Sequence, residues 1–241
     1  MKIRIVPHTW RRKIVKLSAG LSIVLISHYA HAQTNFGINI IRYNSGNMSK
    51  NIPFIARNSN RDYDFKVDQS SGVEMGFFAE IKKGKRFALQ PELAVAVQTI
   101  ILNSNDDMAG LEWTNISVAV PLLFKYRYVG LGVLVGPEIA FLPLSDKKGT
   151  GAFQDLVFPK NNTEDFQTLS FAGIIGAEYT LGRPGIGLHI RYKMGFTSVW
   201  NENEHPLGAA PYDYDKSKQN SLQIGLHWRF GRDKTRIKRT V

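Results

Sequence analysis

The sequence predicts an all-β fold, an eight-stranded antiparallel up-and-down transmembrane β-barrel of the outer-membrane type. After residue 33, apolar residues alternate with small or polar residues in eight segments, as in strands with two different faces. Tight turns alternate strictly with long polar loops, and no later apolar stretch has the length of a membrane helix. Since only helices and closed barrels satisfy their backbone groups in lipid, we expect the strands to close.

Each of the eight segments has one apolar face. Their cores lie at 36–40, 73–81, 87–97, 116–126, 131–141, 171–181, 186–196 and 222–230. The fifth is the least obvious, because Gly130, Gly132 and Gly136 resemble a dinucleotide-binding loop. Turns and strands flank these glycines, whereas a phosphate-binding loop needs a following helix, so we interpret 131–141 as a strand with Glu138 facing inward.

The connections set the orientation. Short glycine-containing turns are predicted at 82–85, 128–130 and 182–185. Long polar loops are predicted at about 44–70, 99–112, 143–166 and 197–219. All tight turns then fall on one side, as in outer-membrane barrels with short periplasmic turns and long external loops.

The two strand faces favour a membrane barrel over a soluble barrel or sandwich, which also has alternating strands. A soluble barrel shows charge outward, whereas here the face opposite the apolar one carries glycine, alanine and glutamate, which suit a narrow lumen. Aromatic residues near the strand ends are expected to form two interfacial girdles. They are Phe36, Tyr43, Phe87, Tyr126, Tyr128, Phe141, Phe166, Phe196, Trp200, Trp228 and Phe230.

Three prolines conflict with this pattern. Pro91, Pro121 and Pro137 lie in three successive predicted strands, and each removes one hydrogen bond from the sheet. A closed barrel has no edge strand to accommodate them, so we expect a bulge or a locally loosened seam.

The two ends of the chain differ from the middle. Residues 1–32 have a basic start, a short apolar run and a small-residue exit, which predicts a signal peptide cleaved between Ala32 and Gln33. Residues 33–230 form the predicted barrel domain, and 231–241 a basic periplasmic tail.

Charge and cysteine content exclude several classes of protein. The net charge is +11, but the two ends hold most of it, leaving 20 cations and 19 acids in 33–230. We therefore expect no nucleic-acid partner. The chain has no cysteine, which excludes disulfides and thiolate metal sites.

Four stretches resemble a known family. They are LQPELAV (89–95), VPLLFKYRY (120–128), GVLVGPEIAFL (132–142) and RYKMGFTSV (191–199). In succession they resemble the PorT-type outer-membrane β-barrel family of Bacteroidota. The resemblance implies an eight-stranded barrel and, for the best-known members, a part in type IX protein secretion and gliding.

The inward faces carry a set of opposite charges. An eight-stranded barrel encloses a space that side chains fill, and buried charges must be paired. We expect a structural charge network in the lumen, with a proton or ion path as the alternative. Its members are Glu74, Glu80, Glu92, Glu138 and Glu178, with Lys125, Arg127, Arg191, Lys193 and Arg229, plus His189 and His227.

No assembled catalytic set is apparent. Neither His189 nor His227 has a serine two or three residues away, and a Ser–His–acid mechanism needs its three groups in hydrogen-bond contact. His205 lies in a loop beside Glu202 and Glu204, donor types that suit a metal, although such carboxylates are usually solvated. We expect a non-enzymatic barrel with no cofactor and no metal.

These observations predict a protein of the outer membrane, reached through the periplasm, whose partners are lipid and other outer-membrane or periplasmic secretion proteins. A general anchoring or adhesion barrel with partner-binding external loops is the alternative function, and a small-solute pore or lipid hydrolase is less favoured. The sequence leaves the oligomeric state open.

Overall fold

The computed structural model describes residues 33–46, 52–55, 62–104, 109–151, 154, 163, 166–181, 185–199 and 218–230. The signal peptide, Trp200, the Glu202–His205 cluster and the basic tail lie outside these residues. The strands are β1 (Gln33–Gly46), β2 (Ile52–Ile55), β3 (Asp62–Lys83), β4 (Phe87–Ser104), β5 (Ala109–Tyr128), β6 (Leu131–Gly151), β7 (Leu169–Leu181), β8 (Ile186–Ser198) and β9 (Lys218–Phe230).

Eight of these strands close into a barrel. From β3 to β9 each strand pairs antiparallel with the next, and β1 pairs with both β9 and β3. The four-residue β2 adds to the start of β3 outside this ring. The predicted eight-stranded antiparallel barrel is therefore confirmed. Among the described residues, no helix has the length and apolar character needed to cross a bilayer.

The outer face of the barrel is an apolar band. Side chains alternate between buried and exposed along each strand, and the exposed ones include Phe77, Val135 and Ile224. Valine, isoleucine and phenylalanine are stable in this position only if the surroundings are apolar, which is the condition that lipid provides. The inward partners are small or charged, as the sequence predicts.

The aromatic girdle differs in part from the prediction. Among the predicted members, Phe36, Phe87, Tyr128 and Trp228 are exposed near the end of the barrel that holds the short turns, called here the turn end. Tyr43 and Phe166 are buried instead. Tyr43 lies four positions after the buried Asn39 on β1. Residues an even number apart on a strand share a face, so Tyr43 points into the lumen.

Glycine forms the short turns. Gly84 adopts a positive φ of 74° in the connection of β3 to β4. Between β5 and β6, Val129 and Gly130 both have positive φ, 44° and 88°. Two successive positive values match the hairpin turn whose twist fits antiparallel strands. Val129 is thereby held in a conformation that non-glycine residues seldom adopt.

Four strands are longer than predicted. β3, β4, β5 and β6 have 18 to 22 residues, whereas β7, β8 and β9 have 13. Much of the sequence predicted as loops at 44–70, 99–112 and 143–166 is therefore strand. These extensions form a one-sided wall at the opposite end of the barrel, called here the loop end.

The prolines coincide with interruptions in the ladder. Pairing of β3 with β4 passes from Phe78–Glu92 to Ile81–Leu89, skipping Pro91, with no change of register. Pairing of β4 with β5 skips Pro121, and pairing of β5 with β6 skips Pro137, in the same way. The ladder is thus interrupted beside all three prolines, and a loosened seam there stays a prediction. A bulge occurs elsewhere, where β6 gains one residue against β5 between Phe141 and Leu144.

Candidate functional site

All twelve residues of the predicted charge network lie on the inner face of the barrel. Strand alternation alone places them there, because each differs by an even number of positions from a buried neighbour on its strand. Most are buried, and Arg127 and Lys193 are half-buried. The inner face of this barrel therefore carries twelve charged or titratable side chains.

Glu80 forms the centre of the part nearest the turn end. Its carboxylate contacts Lys125 Nζ at 3.2 Å, Arg127 Nη1 at 2.8 Å and Arg229 Nη1 at 3.3 Å. The three cations belong to β5 and β9, while Glu80 belongs to β3. The carboxylate of Glu80 thus connects β3 to both β5 and β9.

Lys125 connects this centre to a second carboxylate. Its ammonium group contacts Glu178 Oε2 at 2.7 Å on β7 and also donates a hydrogen bond to Gln90 Oε1. An ammonium group has three donors, and Glu80, Glu178 and Gln90 provide three acceptors. Lys125 is therefore satisfied although it is buried.

Arg191 and Glu92 form the most specific pair. The two guanidinium nitrogens Nη1 and Nη2 donate to the two carboxylate oxygens of Glu92 at 2.9 and 2.8 Å. Asn39 and Gln90 also donate to this carboxylate, at 2.9 and 2.6 Å. Such two-pronged arginine–carboxylate geometry is the strong form of an ion pair.

Glu138, which the sequence predicts to face inward, pairs with Lys193. Glu74 lies close enough to Lys193 for their charges to attract. The network here reaches the middle of the barrel, where Ala94, Ala119 and Ala140 form a small apolar layer across three strands.

His189 and His227 stack on one another. Their ring centroids are 5.9 Å apart and the planes differ by 13°. The edge of Phe78 contacts His227, and Thr180 Oγ1 lies 3.3 Å from His227 Nε2. Among the described residues, no group of three or more His, Cys, Asp or Glu is arranged to hold a metal ion.

Glycines on neighbouring strands make room for the large inner side chains. A Cβ on Gly132 would meet Glu178 Cγ at 2.7 Å, and one on Gly176 would meet Arg191 Cγ at 3.0 Å. Gly187 faces His227 in the same way, and Gly225 faces His189. The inner glycines therefore position the charged and aromatic side chains beside them.

The network, called here the lower network, contains five carboxylates and five cations in addition to the two histidines. Salt bridges join the five cations and all of the carboxylates except Glu74 into pairs or clusters. Removing one partner of a buried ion pair destabilises the folded protein by several kcal/mol. An interior in which each charge has a partner is therefore the stable arrangement. This chemistry favours a closed interior over an aqueous channel.

Sequence reasoning missed a second, apolar group. At the loop end Ile100, Leu102, Leu111 and Trp113 face inward and are fully buried. Phe166, from the segment between β6 and β7, packs edge-on against Trp113 with centroids 6.3 Å apart. These five residues are called here the upper core. The alternation of Leu111 and Trp113 with polar neighbours was the signal that could have revealed it.

The polar partners of the network were also missed. Asn39, Gln90 and Thr180 hydrogen-bond to its charged members. Above them, Gln98 donates to Ser70 at 2.8 Å, and Ser145 donates to Asn115 at 2.6 Å. The network was predicted from inward residues of opposite charge, so these uncharged residues were overlooked. Their strand positions nevertheless place them on the inner face.

Comparisons with known proteins agree with this architecture. A family model described as an outer membrane protein beta-barrel domain matches residues 18–201. No curated protein matches the chain.

Three of the solved structures that are similar to this chain are the following. The attachment invasion locus protein Ail of Yersinia pestis, solved with the heparin analogue sucrose octasulfate, is 10% identical over 83% of this chain and 99% of its own, with a TM-score of 0.39. OprG of Pseudomonas aeruginosa is 12% identical over 83% and 97%, with a TM-score of 0.37. The outer membrane enzyme PagL is 9% identical over 79% and 97%, with a TM-score of 0.40. Similarity at this level says nothing about activity.

Proposed function

The chain belongs to the outer membrane protein β-barrel domain family and lies in the outer membrane, and from this premise we propose that it is a non-enzymatic component of a protein secretion machine. The machine that the PorT-type resemblance implies is the type IX secretion and gliding system of Bacteroidota. The protein serves the function or the assembly of that system, so that large surface proteins are exported.

The filled interior is the observation that carries this proposal. Ion pairs connect β3, β4, β5, β6, β7, β8 and β9 across the lumen, and the upper core occupies its loop end. A barrel filled in this way acts through its surfaces and its partners, since transport would require an open path.

The motifs that resemble the PorT-type family support the same proposal. LQPELAV contains Gln90 and Glu92, and VPLLFKYRY contains Lys125. The other two contain Glu138 and Arg191. The motifs thus supply residues of the lower network, and the resemblance concerns the barrel interior as well as the strand pattern.

The histidine environment favours a non-enzymatic role. His189 and His227 stack on one another within the lower network, and Gly187 and Gly225 provide the space that they occupy. A general base needs an approach to a nucleophile and to its substrate. A histidine packed between strands in a filled lumen is poorly placed for that role.

Deletion of the gene in its own host tests the proposal. Surface proteomics of the deletion strain should show loss of large exported surface proteins, and the wild-type gene in trans should restore them. Normal export in the deletion strain would overturn the proposal. Uptake of small solutes serves as the control and should not change.

An anchoring or adhesion barrel is the second candidate. The one-sided wall formed by the extensions of β3 to β6, with the buried Trp113–Phe166 contact, presents a rigid surface beyond the apolar band. Loss of surface attachment in a strain that exports normally would favour this candidate. Ion conductance across planar bilayers would favour a pore, and loss of lipid acyl chains on incubation with the protein would favour a hydrolase.

A further inference from the structure

The turn between β3 and β4 is unusually basic. Its sequence from Lys82 to Arg86 is Lys-Lys-Gly-Lys-Arg, and residues 81–91 contain no aspartate or glutamate. This segment, called here the basic turn, lies at the turn end, which in outer-membrane barrels faces the periplasm. Four cations are thus concentrated at one point of the rim.

Arg86 of the basic turn is held against the outer wall of the barrel. Its Nη1 donates a hydrogen bond to Tyr126 Oη at 3.3 Å, and its guanidinium carbon lies 5.8 Å from the ring centroid of Tyr128. Phe87 contacts the ring of Tyr126 edge-on at 5.2 Å. These aromatic residues belong to the girdle at the lipid border, so Arg86 is at the height of lipid headgroups.

The other exposed cations of the basic turn differ from those of the lower network. Lys125, Arg127 and Arg229 are neutralised by Glu80 and its neighbours. In the part of the chain that the structure describes, Lys83 and Lys85 are exposed and form no ion pair. The basic turn therefore keeps an uncompensated positive charge beside an apolar wall.

We propose that the basic turn and the adjacent tyrosines form a binding site for the headgroup of an anionic phospholipid in the leaflet at the turn end. The planar guanidinium of Arg86 matches phosphate oxygens, and Lys83 and Lys85 add attraction for a second negative charge. The acyl chains lie along the exposed rings of Phe87 and Phe124. This site goes beyond the secretion role and does not depend on it.

The test compares two variants that lose the same charges at opposite ends. Lys83→Gln, Lys85→Gln and Arg86→Gln together remove three of the four cations of the basic turn and leave Lys82 in place. Arg42→Gln, Lys148→Gln and Lys218→Gln together remove one arginine and two lysines that are exposed toward the loop end. Each protein is folded into vesicles of phosphatidylcholine with 20–30% phosphatidylglycerol, roughly the anionic content that gives a marked surface potential.

Electron spin resonance of spin-labelled lipids then measures the preference for phosphatidylglycerol over phosphatidylcholine at the protein surface. We expect the wild type and the loop-end variant to prefer phosphatidylglycerol, and the preference of the basic-turn variant to fall about fivefold or more. Heat-dependent migration on gels verifies that each barrel has folded.

Two results would overturn the site. One is equal association of both lipids with the wild type. The other is an equal loss of preference in the two triple variants, which would assign the effect to overall charge. Arg86→Lys provides a second measurement in a barrel of unchanged charge, and its preference should fall between those of the wild type and the basic-turn variant because lysine lacks the planar fork.

Discussion

The two halves of the barrel interior differ in the side chains that hold them together. Toward the turn end the lower network packs charged groups against one another, with Arg191 and Glu92 buried and doubly hydrogen-bonded. Toward the loop end the upper core packs Trp113 and Phe166 with three aliphatic side chains. Both fillings occupy the lumen with side chains, but only the first depends on keeping each charged partner.

The difference follows the surroundings of each half. Within the apolar band, lipid lies outside the strands, and apolar side chains gain as much from facing lipid as from facing inward. Polar groups must then be inside and paired. Beyond the band, water lies outside the long strands, so burial of Leu111 and Trp113 is driven by the ordinary hydrophobic effect. The interior changes where the external medium changes.

The largest expected effect is in the lower network. Glu92→Leu leaves Arg191 buried without its carboxylate and should lower the free energy of unfolding by about 4 kcal/mol. Urea titration of the protein in vesicles measures this change. The matched control is the double variant Glu92→Leu with Arg191→Met, which removes both charges and should recover most of the loss. A double variant as unstable as the single one would show that packing, and not charge, sets the cost.

A smaller and more local effect is expected in the upper core. Trp113→Ala removes the contact with Phe166 and should cost about 3 kcal/mol. Since no ion pair of the lower network includes Trp113, protease cleavage should increase in the extensions of β5 and β6 while amide exchange near the turn end stays slow.

Leu144→Ala is the control for that experiment, because Leu144 is exposed on the outer face of the same wall. It should change stability by no more than about 0.5 kcal/mol. Equal protease sensitivity along the whole barrel in the Trp113→Ala protein would mean that the two halves unfold together.

The smallest effect concerns the glycines. Gly187→Ala places a methyl group against His227 and the carbonyl oxygen of Tyr179, and overpacking of this kind should cost about 2 kcal/mol. Gly173→Ala is the control, since there the nearest atoms belong to the Phe196 ring, which can move into lipid. Equal midpoints in urea for the two variants would argue against glycine positioning the lower network.

Strand alternation was sufficient to predict the barrel and the inward position of the charged residues. It could not predict the contacts. An odd or even position on a strand gives the face of a residue, but the tilt and stagger of the strands set its position along the barrel axis. Glu138 illustrates this point. Arg127, Arg191 and Lys193 share its face, and only the relative stagger of the strands brings Lys193 to it.

The upper core was missed for a different reason. The sequence 99–112 was predicted as a loop because Asn103, Asp106 and Asp107 make it polar. Where water surrounds a strand, its outer face can be polar. The outward apolar pattern that identifies lipid-facing strands is therefore lost beyond the edge of the apolar band. The inward alternation of Ile100 and Leu102 continues past that edge.

The ion pairs of the lower network also connect parts of the chain that are far apart in sequence. Arg191 and Glu92 are separated by 99 positions, and Arg229 and Glu80 by 149. Neither pair exists until late strands have joined early ones, which is the slow step in folds with distant contacts. Before β9 meets β1, these groups are unpaired charges in a chain that is entering lipid. Sealing the last seam and cancelling the interior charge are therefore coupled during biogenesis.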